Sequence, residues 1–380
     1  MKAAFKRLLP VFTGCVAFAC AMALIGCAGT PVADSASENP SDAAETSERK
    51  AQPTAEQAAA PTTADADCVP AAVLPGDLAN LPKIEATPWV QVCDDPACEG
   101  LEGPAYAKDG TIYVCHIPHG DTPPGIFKVS ADGTVEPFYE LQGPPAVTIA
   151  IHKDGRIFAG VVNGNILVLD AGGNLLETIA PALDGVTPHI DDMVFDSKGN
   201  LYLTNFAGNV TDAAGTVWRL EAADNYATVT PILKNLAGPN GVSLSEDDAT
   251  MWVSESTGAR ILRVGLNEEG LAEGRTPDSG VHPVYMSTGM NGPDSNKTDA
   301  ENNLYQCMFG TGRAVILNDR GIPTTNLVIK GSEKGEMLLT TNVAIEPGTT
   351  EGIMVAGGTT GGWICQFEAL NPGTRLFSHR

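Results

Sequence analysis

The chain has 380 residues, with 46 Asp and Glu against 23 Lys and Arg and a formal net charge of −23. That acidic excess excludes nucleic acid as a partner, which would need a basic face, and favours solubility and cation binding. An apolar share of 43% still leaves enough for a large core.

Lys2, Lys6 and Arg7 precede an apolar run from Val11 to Ile25. The run is short for a permanent membrane span, and Leu24-Ile25-Gly26-Cys27 matches the lipobox of bacterial lipoprotein signal peptides. Residues 1–26 are therefore expected to be cleaved, leaving Cys27 to carry the lipid. The chain would then sit in the bacterial cell envelope, held to the membrane by that lipid and facing outside the cytoplasm. Residues 27–67 are rich in Ala, Pro, Ser, Thr and Glu and cannot bury enough surface to offset ordering entropy, so they are expected to form a disordered tether. The folded part is assigned to residues 68–380.

Six cysteines follow the lipid site: Cys68, Cys93, Cys98, Cys115, Cys307 and Cys365. An even number in an exported chain permits disulfides. Cys93 and Cys98 form the expected local pair across a turn at Pro96, whereas Cys115 and Cys307 fall in predicted strands as buried free thiols. Metal binding by these thiols is the weaker option, because no CxxC pair or matching His set is present.

From Leu101 onward the chain reads as short strands rich in Val, Ile, Tyr and Trp, separated by Asp-Gly, Gly-Asn and Asn-Gly turns, without long helical periods. Predicted strands include Thr111 to Cys115, Ile166 to Leu169, Leu201 to Thr204, Met251 to Ser254 and Ala314 to Leu317. The unit recurs about every 50 residues, the length of a four-stranded propeller blade. Blades are placed at Glu102–Tyr139, Pro145–Ile179, His189–Leu233, Pro239–Tyr285, Asn291–Ile329 and Thr340–Leu370. Pro88 to Val92 would pair into the last and close the ring. The expected fold is all-β, a six-bladed β-propeller; a seven-bladed ring or an open sandwich is the rival.

Counting back from the hairpin turns puts Glu102, Val147, Asp191, Asn240 and Asp294 at one structural position, the head of each innermost strand. Carboxylates and an amide converging without His or Cys describe a hard-cation site, Ca²⁺ ahead of Mg²⁺. The plainer alternative is that they are turn caps or polar channel lining. A Ser-His-Asp hydrolase is disfavoured, since no Gly-x-Ser-x-Gly elbow is present. His116 and His119 are read as surface or loop residues near the mouth, and His152 and His282 as structural. Thr122-Pro123-Pro124 and Arg275 to Pro283 are expected to shape the mouth.

Ile151-His152-Lys153-Asp154-Gly155-Arg156, Ile190-Asp191-Asp192-Met193-Val194-Phe195-Asp196, Asn240-Gly241-Val242-Ser243 and Gly292-Pro293-Asp294-Ser295 resemble the SMP-30/gluconolactonase family. The resemblance spans about Leu101 to Leu370 and implies a calcium-dependent hydrolase that opens lactones, with a small-molecule lactone or ester as substrate. It implies that Glu102, Asn240 and Asp294 hold the metal and that Ser295 contacts it. By the same likeness Asp294 transfers the proton and Asp191 serves the calcium sites. Asp184, Thr187 and His189 match the ligands of a second, structural calcium, on a loop one residue shorter than the family pattern. Asn163-Gly164-Asn165 stands where the family carries Ser-Thr-Gly-Gly, and Asn205 where an Asp is usual. Related six-bladed sites cleave phosphotriesters, and a non-enzymatic ligand-binding propeller on the cell surface is the other alternative.

Overall fold

The computed structural model describes residues 78, 80–94, 98, 100–273, 280–288 and 292–380. The signal peptide, Cys27, the tether, Cys68, Pro96, Asn291 and residues 275–279 of the expected mouth lie outside them.

Strand β1 (Lys83–Cys93) opens the described fold. The first antiparallel sheet holds β2 (Gly100–Tyr106), β3 (Ile112–Ile117), β4 (Gly125–Val129) and β5 (Val135–Glu140). The second holds β6 (Ala146–Ile151), β7 (Ile157–Val161), β8 (Ile166–Leu169) and β9 (Leu175–Ile179). The third comprises β10 (Ile190–Phe195), β11 (Leu201–Asn205), β12 (Gly215–Leu220) and β13 (Val229–Leu236). The fourth comprises β14 (Pro239–Leu244), β15 (Thr250–Glu255), β16 (Arg260–Gly265) and β17 (Val281–Met286). Then follow β18 (Pro293–Thr298), β19 (Leu304–Met308), β20 (Arg313–Leu317) and β21 (Pro323–Ile329), with β22 (Leu339–Ile345), β23 (Glu351–Gly357) and β24 (Gly362–Glu368) last.

These last seven strands and β1 form one eight-stranded sheet. The N-terminal half of β1 pairs in parallel with β21, and the rest pairs antiparallel with β24. The expected closing strand, Pro88 to Val92, is thus part of a longer strand that stitches the two ends of the chain together. Strands β2, β6, β10, β14, β18 and β22 each touch the next, and β22 returns to β2, so the inner strands form a closed cycle. The fold is all-β and propeller-like, and its helical content among the described residues is three short 3₁₀ turns.

Each sheet grades from inside to outside. β7 and β11 are buried throughout, because neighbouring sheets cover both faces, whereas the outer strands β5 and β9 alternate toward solvent. The inner hairpins repeat one device. Asp109, Asp154, Asp196, Asp247 and Asp299 each accept the backbone N–H two residues on, at 2.9 to 3.1 Å. Asp side chains favour turns through this bond. Aromatic packing between the second and third sheets reaches the chain terminus. Phe377 lies 4.9 Å from the His152 ring and 5.6 Å from Phe195, and it comes from a segment beyond the last expected blade.

Cys93 and Cys98 are disulfide-bonded, and Cys115, Cys307 and Cys365 are buried free thiols. His116 departs from expectation: it lies in β3, buried and edge-on to Phe127, rather than on a surface loop. Its neighbour β4 and the Cys93–Cys98 bridge cover it. His152 is structural, as expected, packed among Phe158, Phe195 and Phe377.

Candidate metal and active centre

The inner strands share a local irregularity. β2 shifts register between Glu102 and Ala105, β10 between Ile190 and Met193, β14 between Pro239 and Val242, and β18 between Pro293 and Asn296. A bulge re-aims the side chains it carries and frees backbone groups from the ladder. Asp191, Asn240, Asp294 and Ser295 sit inside these bulges, and Glu102 stands at the edge of its own. In β6 the corresponding shift is at Val147, the apolar member of the predicted column.

Freed N–H groups are taken up locally. The N–H of Gly103 donates to Glu102 Oε2 at 3.0 Å, and that of Ser295 to Asp294 Oδ1 at 2.9 Å. The hydroxyl of Ser295 donates to Asn240 Oδ1 at 3.1 Å, joining β18 to β14. Behind them, hydroxyls on second strands brace the next sheet. Thr204 donates to the Asn240 carbonyl at 2.5 Å, Ser254 to the Asp294 carbonyl at 2.6 Å, and Gln306 Nε2 reaches that carbonyl at 2.7 Å. Gly103 adopts φ +55°, and a Cβ there would fall 2.6 Å from Thr148 Cα, so only glycine lets β2 approach β6 this closely.

The cluster is buried and unfavourably charged. Burial, then the charges of Asp294 and Asp191, hold the Glu102 carboxyl well above its ordinary range. Asp191 is raised by burial and by the charges of Asp294 and Asp192. Burial pushes Asp294 up to about 8, against the opposing bonds from Ser295 and Asn240. Each of these charges disfavours ionisation of the others, and a cation beside them would favour the ionised forms. The donor set is oxygen from acids, an amide and a hydroxyl, which fits a hard ion such as calcium. Two thiols lie near. Burial and the Glu102 charge raise Cys115, while burial and the Asp294 charge raise Cys307, so both sulfurs stay protonated and offer no thiolate. Among the described residues the trio of His, Cys or carboxylate ligand atoms lying within 4.8 Å of one another is Cys93, Cys98 and His116, two of which are spent in the disulfide. Glu102, Asp191 and Asp294 come from three separate inner strands, β2, β10 and β18.

All five predicted hub residues, Glu102, Asp191, Asn240, Asp294 and Ser295, therefore come together. Asp192 was not anticipated. It is buried beside Asp191 and ion-paired to Lys297, which stands 105 residues away in sequence and whose Nζ lies at 2.9 Å. The signal available was a lysine in an innermost strand, Pro293-Asp294-Ser295-Asn296-Lys297-Thr298.

The second predicted set lies elsewhere. Asp184, Thr187 and His189 are exposed on the loop before β10. Gly164 packs against Thr187 and Pro188, so the two segments that depart from the family pattern meet. Asn205 is structural: its Oδ1 accepts the His189 N–H at 2.8 Å and its Nδ2 reaches Thr216 at 3.2 Å.

The family described as SMP-30/Gluconolactonase/LRE-like region matches residues 101–342. Lactonase drp35 of Staphylococcus saprophyticus is 33% identical over 315 residues, 80% of this chain and 94% of that protein. Among solved structures, the calcium-binding protein regucalcin of Agrobacterium tumefaciens superposes with a TM-score of 0.59 at 18% identity, covering 77% of this chain and 99% of that one. A gluconolactonase of Xanthomonas campestris gives 0.57 at 16% identity, covering 73% and 88%. At those identities the structural likeness establishes the fold.

Proposed function

This chain belongs to the SMP-30/gluconolactonase family, and from that premise we propose that it opens lactones by calcium-assisted attack of water at the hub of a six-bladed propeller. That it is a lactone-ester hydrolase follows from its likeness to the staphylococcal lactonase over most of both chains. The six-blade count reads the eight-stranded sheet as two blades joined through β1, supported by the closed cycle of six inner strands. The observation that carries the chemistry is the convergence of Glu102, Asp191 and Asp294, each held above its usual range by burial and by acidic neighbours.

Glu102, Asp191, Asn240 and Asp294, with Ser295, would hold the ion. When bound, calcium supplies positive charge that keeps these acids ionised and polarises the lactone carbonyl, an effect worth several kcal/mol in metal sites generally. Asp294 accepts a proton from water as the water oxygen bonds to the carbonyl carbon. It returns that proton to the ring oxygen as the ester C–O bond breaks, a role typically worth about 10² to 10⁴ in rate. The Ser295 N–H fixes the Asp294 carboxylate, and the Ser295 hydroxyl orients Asn240. Glu102 is oriented in turn by the Gly103 N–H.

The test is hydrolysis of a panel of lactones by the purified protein, with added Ca²⁺ and with EDTA, for the native chain and Asp294→Asn. Calcium-dependent turnover should fall by about 10² or more in the variant. Full activity in Asp294→Asn, or in EDTA, would sink the mechanism. Metal-dependent cleavage of a phosphotriester without lactone turnover would transfer the site to that substrate class.

A further inference from the structure

One ion pair stands beside the candidate ligands. Lys297 Nζ donates to the two Asp192 oxygens at 2.9 and 3.3 Å. The same carboxylate accepts Thr148 Oγ1 at 3.0 Å, the Met193 N–H at 2.9 Å and the Val242 N–H at 3.2 Å. Four inner strands, β6, β10, β14 and β18, thus meet at one side chain that is 1% exposed. Lys297 also lines a small, mainly apolar cavity of about 50 Å³ with Ala150, Met193, Phe195 and Phe377. Lys297 thus touches both Asp192 and this chamber.

An ionised carboxylate offers about four lone-pair sites. The ammonium, the hydroxyl and two N–H groups occupy them. Asp192 has no lone pair left for a metal, although its charge still acts on Asp191, Glu102 and Asp294. Among the described residues, Asp191, its immediate neighbour, has no such set of donors. A buried ammonium is costly unless paired, so each member of the pair holds the other in place.

We propose that Lys297 is a built-in counter-cation that withdraws Asp192 from the metal, leaving Asp191 as the ligand of the Asp-Asp pair and limiting the affinity of the hub for calcium. Lys297 is a positioning residue, acting through Asp192 and the field at the hub. The inference rests on the hub being a calcium site.

Calorimetric titration of the purified full-length protein with Ca²⁺ tests it, using Lys297→Met, Asp192→Asn, the double variant and Lys297→Arg. Removing one positive charge beside a divalent ion should tighten binding about tenfold or more in Lys297→Met. Asp192→Asn frees the ammonium to turn toward Asp191 or Asp294 and should weaken binding by a similar factor. The double variant restores the charge balance and should return to within about threefold of the native value, as should Lys297→Arg, which keeps the charge. A merely structural pair would lower Tm in both single variants without moving calcium affinity in opposite directions. Native protein that binds calcium while both single variants match it overturns the role of Lys297. Native protein that binds no calcium overturns the metal reading first, so the two failures are distinct. If Lys297→Met does not fold, Asp192→Asn and the double variant decide.

Discussion

Acidic side chains at three hairpin turns and at the hub are pushed in opposite directions by their surroundings, while Asp196, a turn acid sunk deeper, is raised by burial. Asp170 is partly exposed and accepts the Asn174 side chain and the N–H groups of Asn174 and Gly172, which hold it below the usual carboxylate range. Asp132 is lowered by the Thr134 N–H, and Asp247 by the Ser245 hydroxyl. Glu102, Asp191 and Asp294 are buried among one another and raised instead. Acidity as such therefore marks nothing. What distinguishes a site is a carboxylate whose charge the protein leaves under-compensated, because a ligand is meant to complete it.

The largest effect should come from neutralising the hub. Glu102→Gln and Asp191→Asn each remove a proposed ligand and one member of a repulsive cluster. Lactone turnover in excess calcium should drop by about 10² or more, the scale of the several kcal/mol a metal supplies. Melting in EDTA should move the other way, with both variants as stable as the native protein or more so. Variants that keep their activity, or that lose stability equally with and without calcium, would place these acids with the turn residues.

Much of this division could be read from the chain itself. Hairpin turns set a nearly constant offset from Asp109-Gly110, Asp154-Gly155, Gly199 and Asp247-Asp248 back to the inner strands, and that offset brought Glu102, Val147, Asp191 and Asn240 into one column with Asp294. Turn chemistry is local, so it survives in sequence. Asp192 was missed because its partners, Thr148, Val242 and Lys297, come from three other sheets, and only the bulges bring them within reach. The extension of β1 onto β21 and the docking of Phe377 were hidden for the same reason: each pairs segments far apart in sequence.

A smaller effect, with a definite sign, concerns pH. A carboxyl raised in the folded state contributes stability that is fully present below its unfolded pKa and lost as pH climbs through the folded one. For Asp294 that window runs from about 4, the unfolded value, to about 8. Metal-free protein should therefore lose thermal stability steadily between those limits, and saturating calcium should flatten the slope because it stabilises the ionised cluster. Calorimetric melting across this range, with EDTA and with Ca²⁺, checks it. A flat EDTA profile would mean that the hub acids are already compensated without a metal.

The smallest effect belongs to the turns. Asp170→Ala deletes the acceptor for the Gly172 and Asn174 N–H groups but touches nothing in the channel. Calcium affinity and lactone turnover should stay within about twofold of native, as for a surface substitution away from the site. Stability should fall modestly at neutral pH. Because the Asp170 carboxyl is lowered in the folded state, its contribution is present above the unfolded value and disappears as pH falls through the folded one, so the variant should converge on the native protein in acid. That trend is the mirror image of the one expected for Asp294. If Asp170→Ala weakened calcium binding as strongly as Glu102→Gln, the separation of turn from hub would collapse, and calcium would have to be acting on the surface of the sheets rather than at their common axis.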